Sequence, residues 1–309
     1  CSRRCTVKPA FCSRYVSIFL LLATTNGLPS SMFADDSSFE LRDGDRVVLV
    51  GDTLIERSAR YGYVEMSLAM AFARRKVTFR NLGWSGDNVF ARSRDYFDKQ
   101  HDGYARRLAH LNRLKPTVIF LSYGGNESFG GKDRLPEFVA GYKQLLEDLK
   151  ATGARLVLLT PPRLEKLGPP LPDPAAQNRN RGLYAAEIRK LAAQFDHRAV
   201  DLFSQFKSTN SRLTYNGMHL TNRGYQELAA AICVELDVAA PDFGGQDLLR
   251  QAIVAKNRLY FYRWRPQNET YLFGHRKHEQ GRNAAELPHF DPLVSAKELE
   301  ISKLLTQSR

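Results

Sequence analysis

Four short stretches of this 309-residue chain carry groups able to do chemistry together. The apolar run Arg46-Val47-Val48-Leu49-Val50 stops at Gly51-Asp52-Thr53-Leu54, which offers the Thr53 hydroxyl. Gly86 lies in Asn81-Leu82-Gly83-Trp84-Ser85-Gly86-Asp87, and Asn126 in Gly124-Gly125-Asn126-Glu127. His219 lies in Asn216-Gly217-Met218-His219-Leu220. These types fit acyl transfer. A hydroxyl becomes a nucleophile once a base removes its proton, and His219 is the candidate base. The oxyanion that then forms needs donors already aimed at it. The backbone N–H groups of Thr53 and Gly86 and the side-chain amide of Asn126 can supply three.

The elements around these stretches predict where they meet. Five apolar runs read as strands: one before Gly51, then Lys76–Arg80, Thr117–Tyr123, Arg155–Thr160 and Ala199–Phe203. Helical periodicity separates them, over Tyr61–Arg75, Tyr104–Leu114, a segment opening at Pro136, and Leu183–Phe195. Asn222–Leu236 reads as a closing helix. Alternation of this kind is the signature of a three-layer α/β/α domain on a parallel five-stranded sheet. The strand order stays open. Each candidate residue follows a strand, so all four fall at one sheet edge, where ligands of such sheets bind. No Gly-x-Gly-x-x-Gly turn follows the first strand, which argues against a dinucleotide site.

The first 34 residues differ from the rest. They hold Arg3, Arg4, Lys8 and Arg14, no acid, and the short apolar run Tyr15–Ala23. That order predicts a signal peptide over 1–34 and export to the periplasm or beyond. The run is shorter than the ~20 residues of a spanning helix. The domain reading is therefore 1–34 leader, 35–242 catalytic-type domain, and 243–309 a helical and irregular extension packed on it. Asp247–Trp264 and Ser295–Leu305 are the extension's predicted helices. Formal charge is +12 for the whole chain and +8 beyond the leader. A basic excess suits anionic polysaccharide or headgroups at the cell envelope. No basic block with interleaved aromatics precedes residue 250, so nucleic acid is not an expected partner. Three of the four cysteines lie in the leader, leaving Cys233 in an apolar helix pattern. Neither it nor the histidines show metal-ligand spacing, so no metal or other cofactor is expected.

The four stretches, in order and each after a predicted strand, resemble the SGNH (GDSL-type) hydrolase superfamily of esterases and lipases. Gly51-Asp52-Thr53-Leu54 stands for its Gly-Asp-Ser-Leu block, Gly86 for the second-block glycine and Gly124-Gly125-Asn126-Glu127 for Gly-x-Asn-Asp. Asn216-Gly217-Met218-His219-Leu220 stands for Asp-x-x-His-Leu. The resemblance spans about residues 44–240. It implies a flavodoxin-like sheet and metal-free hydrolysis of carboxylic esters, with carbohydrate O-acetyl groups among the substrates. It also implies a nucleophile at 53, a base at 219, and an orienting group at 216. The tail is similar to a stretch of exported bacterial proteins in which such a domain precedes propeller and haem-binding domains. Without a Cys-x-x-Cys-His, no haem is implied here.

Two departures from that pattern matter. Thr53 replaces Ser, adding a methyl group that restricts rotation and crowds attack. Asn216 replaces Asp, and an amide cannot stabilise an imidazolium as a carboxylate does. Three readings follow: a slow Thr53–His219 dyad, help from another carboxylate (Asp52, Asp87, Glu127 or Asp201), or a module that binds a carbohydrate or partner protein without turnover.

Overall fold

The strands form where β-branched and aliphatic residues run without interruption. They are β1 (Arg46–Gly51), β2 (Thr78–Asn81), β3 (Val118–Ser122), β4 (Arg155–Leu159) and β5 (Arg198–Val200). All pair in parallel, in the order β2-β1-β3-β4-β5. The computed structural model describes residues 39–95, 102–206, 211–240 and 242–307. The predicted leader lies outside them. The described residues belong to one compact unit.

Alternate residues of each strand face opposite layers. Val47, Leu49, Val118, Phe120, Val157 and Leu159 pack under α2 (Tyr63–Ala71) and α7 (Asn222–Glu235). Val48, Val50, Ile119, Leu121, Leu156 and Leu158 pack under α4 (Leu135–Leu149) and α5 (Ala175–Gln194). The chain leaves β1 toward β2 and returns through α3 (Gly103–Leu114) to β3 on the other side. The β1/β3 boundary is therefore the topological switch point, where a crevice opens beyond the strand ends.

Three elements differ from the sequence reading. The helix read over Tyr61–Arg75 is present but shorter, as α2, and a separate helix precedes it. α1 (Thr53–Tyr61) begins at the nucleophile candidate itself, capped by Asp52, and ends at Gly62, whose φ of +79° starts α2 afresh. α5 starts at Ala175 rather than near Leu183, straight after the proline-rich stretch. Residues 201–203 are not strand. The Asp201 carboxylate accepts the Ser204 N–H and caps a one-turn helix, α6 (Leu202–Gln205). At Gly62 and Asp201 a residue able to end or start a helix outweighs the apolar run beside it, whereas α5 begins directly after Pro174 at its N-cap.

Beyond Gly244 the chain forms α8 (Asp247–Trp264), single turns α9 (Glu269–Leu272) and α10 (Lys277–Gln280), and α11 (Phe290–Gln307). α8 lies along the β2 edge of the sheet. The Lys256 ammonium, fully buried, donates to the Phe79 carbonyl of β2 at 3.0 Å and meets the Glu65 carboxylate of α2 at 2.8 Å. Arg80 of β2 pairs with Glu298 of α11 at 2.5 Å. An edge strand left open invites pairing with another chain, and helical cover removes that edge from solvent. Among the described residues, no helix is long and apolar enough to cross a membrane. No three His, Cys, Asp or Glu side chains gather there as metal ligands. Cys233 is buried and free, its thiol pushed up to about 11 by burial.

Candidate active site

Thr53 opens α1 immediately beyond β1. Asp52 before it is the N-cap, its carboxylate accepting the Leu54 N–H at 2.9 Å. The Thr53 N–H, at the first helical position, has no intrahelical acceptor and points out at the dipole's positive end. Register brings the next turn alongside: Gly51 of β1 pairs with Ser122 of β3. The turn after β3 therefore sets Gly125 and Asn126 beside Thr53, and all three line one cleft. That cleft is small, about 40 Å³, with its mouth open to solvent. His219, Met218, Pro161, Pro162 and Tyr225 also line it.

The Gly86 N–H donates to Thr53 Oγ1 at 3.0 Å. The Asn126 amide donates one hydrogen to the Asp87 carbonyl at 2.8 Å, which leaves its second for the cleft. The structure thus brings Thr53, Gly86, Asn126 and His219 to one place. Among the described residues no hydrogen bond joins Thr53 to His219 directly.

His219 is held by a loop that folds on itself. Thr214 and Leu220 form an isolated antiparallel bridge, and the Tyr215 N–H donates to the His219 carbonyl at 2.8 Å. Gly217 turns the loop with a φ of +84°, and a Cβ there would sit 2.9 Å from the Glu165 carbonyl. The Glu165 carboxylate accepts the N–H groups of Leu213 at 2.9 Å and Thr214 at 2.7 Å. Asn216 Oδ1 accepts the N–H groups of Met218 at 3.2 Å and His219 at 2.9 Å. Its Nδ2 is therefore the atom facing His219 Nδ1, at 3.1 Å. An amide nitrogen donates, so Nδ1 accepts and the ring proton sits on Nε2. Burial, with the Arg57 charge behind it, holds the His219 pKa below its ordinary value.

The four acids offered by the sequence take other posts. Asp87 is fully buried against Arg94 at 2.7 Å and accepts the Tyr123 hydroxyl at 3.0 Å. Glu127 accepts the Val89 and Gly124 N–H groups, both at 2.9 Å, and burial raises it to about 7. Asp201 pairs with Arg189 at 2.8 Å. Asp52 lines the cleft, raised by burial to about 6, but its hydrogen bond goes to the α1 backbone. None of the four is hydrogen-bonded to His219.

Several supporting residues gave no signal in the sequence. Buried Arg94 and Arg107 tie down the loop carrying Gly86: Arg94 donates to the Leu82 carbonyl at 2.8 Å and Arg107 to the Val89 carbonyl at 2.7 Å. From behind, the Glu56 carboxylate accepts the Ser85 N–H. Arg265, just past α8, lies 3.6 Å from that carboxylate and 3.5 Å above the Trp84 ring centroid. A desolvated cation–π contact contributes up to about 2 kcal/mol. Arg265→Ala is accordingly expected to loosen the Ser85–Gly86 turn and lower kcat about tenfold while KM moves little. Steady-state kinetics on an aryl acetate check it, and a KM-only effect would refute it.

Comparison with known proteins agrees with this geometry. The GDSL-like Lipase/Acylhydrolase family matches residues 49–227, from β1 past the His219 loop. A GDSL esterase/lipase of Arabidopsis thaliana is 24% identical over 181 residues, which are 48% of this chain and 75% of the relative. Among solved structures, an acetylxylan esterase of Geobacillus stearothermophilus superposes with a TM-score of 0.53 at 18% identity, over 66% of this chain and 99% of that one. A gut microbial diltiazem-metabolizing enzyme gives 0.52 at 16% identity, over 64% of this chain and 48% of that one. These structures share the fold. The family match covers more than half of the chain and all four loops that meet at the cleft, so the protein belongs to the GDSL-like lipase/acylhydrolase family and is a hydrolase of ester bonds.

Proposed function

We propose that this protein is exported and removes short acyl groups, acetyl on carbohydrate first among them, through Thr53. The carrying observation is one small cleft lined by Thr53, Asn126 and His219, with the Gly86 N–H on the Thr53 oxygen. Thr53 Oγ1 attacks the ester carbonyl carbon as its proton passes to His219 Nε2. The carbonyl oxygen becomes an oxyanion held by the Thr53 and Gly86 N–H groups and the free Asn126 hydrogen. The carbon–oxygen bond to the alcohol then breaks and His219 returns the proton to that alcohol. Water, deprotonated by the same imidazole, then attacks the acyl carbon; the bond to Thr53 Oγ1 breaks, His219 returns the proton to that oxygen, and the acid leaves.

The first step needs a lone pair on Nε2, and the Asn216 contact favours the tautomer that lacks one. Turnover therefore runs through the minor tautomer and is slow. The same contact supports a second reading: a cleft that binds an acylated carbohydrate or a partner protein without cleaving it. Hydrolysis of an aryl acetate by the wild type, Thr53→Ala and His219→Ala separates them. The catalytic reading expects both variants to fall at least tenfold. Equal rates in all three would leave only binding.

A further inference from the structure

Two arginines line the catalytic cleft without a part in the chemistry above. Arg57 stands on α1 one turn after Thr53, half-buried, and Arg181 reaches in from α5 at 5% exposure. Arg181 Nη1 donates to the Pro162 carbonyl at 2.6 Å, and Nη2 lies 3.4 Å from the Gly125 carbonyl. Its Nε is buried with no partner. Among the described residues neither guanidinium forms an ion pair with a carboxylate. Asp52 is the one acid of the cleft, and it attracts Arg181 from beyond pairing distance. One negative charge thus faces two positive ones, and Arg57 is the surplus.

A guanidinium held in a cleft with unused donors matches a planar or tetrahedral oxyanion better than any neutral group. Arg57 also lines the cleft together with His219. It stands near enough to His219, the group that reprotonates the departing alcohol, to depress the imidazole's pKa. We infer that the alcohol half of the substrate is an anionic saccharide, whose carboxylate or sulfate is bound by Arg57 at the cleft. Arg181, deeper in, supplies the field that keeps the cleft positive once Asp52 is counted. This inference rests on the proposed ester hydrolysis for where the alcohol sits, but the binding it describes is measurable without turnover.

The test uses the full chain and three sugars that differ in one group: O-acetylated methyl glucoside, the corresponding methyl glucuronide, and a methyl glucoside sulfate. The expected KM is about tenfold lower for each charged sugar than for the neutral one, and added salt erodes the difference. Arg57→Gln should bring the charged-to-neutral ratio near one, whereas Arg57→Lys should keep part of it. Preference for only one of the two anions identifies the source of the charge. In parallel, calorimetric titration with unacetylated methyl glucuronide and methyl glucoside reads affinity alone. Hydrolysis of all three sugars with equal KM overturns this inference and spares the proposed function. Preferential binding of the anion without hydrolysis upholds it and overturns the proposed function. A preference that survives Arg57→Gln intact overturns the role of Arg57.

Discussion

Asn216→Asp is expected to raise kcat on an aryl acetate by about 10²–10⁴. The reverse exchange in a serine protease triad, Asp to Asn, lowers kcat by ~10⁴ by imposing the wrong tautomer. Here the wrong tautomer is built in. Asn216 Oδ1 is committed to the Met218 and His219 N–H groups, so the amide cannot turn its oxygen to Nδ1. Aspartate keeps both backbone bonds on one oxygen and offers the other to an Nδ1–H. The Nε2 lone pair then faces the cleft. The gain has a ceiling because the Thr53 methyl group still restricts attack, so adding Thr53→Ser should multiply it further.

The pH profile gives a second reading of the same variant. In the wild type, burial and Arg57 hold the His219 pKa below its ordinary value, with no carboxylate to oppose them. The neutral base therefore persists into acid, and the acidic limb of kcat/KM lies below the ordinary histidine range. A carboxylate at 216 stabilises the imidazolium, raises that pKa and moves the limb to higher pH. Higher kcat together with an upward-shifted limb is the expected signature. An unchanged rate and profile would mean the cleft was rebuilt for a task other than proton transfer.

How much of this was legible beforehand depended on the range of the interaction. The β1 turn with Thr53 and the β3 turn with Asn126 could be read because each ends an apolar run, and parallel pairing then forces both to one edge. The helix starting at Thr53 was missed although its signal was present. Asp52 is an N-cap residue, and Glu56 lies in the first turn. The order β2-β1-β3-β4-β5 depends on which strand edges meet, and no local pattern records that. The same limit hid Glu165, whose partners Leu213 and Thr214 lie 48 and 49 residues away. It also hid Arg265, 209 residues beyond Glu56. Single charged residues on helices or in loops look solvent-facing until a distant segment covers them.

Glu65→Ala should destabilise the fold by about 3–5 kcal/mol, the usual cost of leaving one member of a buried pair uncompensated. Lys256 Nζ has the Glu65 carboxylate at 2.8 Å and the Phe79 carbonyl at 3.0 Å, and the Asn257 amide donates to the same carboxylate at 3.0 Å. Without Glu65 the ammonium keeps only a carbonyl. Chemical denaturation at pH 7 reads the loss as a lower midpoint. Burial already holds the Lys256 pKa below its ordinary value, and removing the carboxylate pushes it lower still. Folded Glu65→Ala then binds fewer protons than its unfolded chain, so its stability rises with pH through the interval between the two lysine pKa values. The deficit should narrow as the pH rises from neutral toward the ordinary lysine pKa. Lys256→Met with Glu65→Gln removes both charges and keeps an acceptor for Asn257, so it should recover most of the loss. Because Lys256 belongs to α8 and Glu65 to α2, one cooperative transition moving as a whole would mean that the segment after Gly244 unfolds with the sheet. A separate early transition for α8 and α11 would instead make their cover of β2 a removable cap, and the 3–5 kcal/mol would not appear in the main transition.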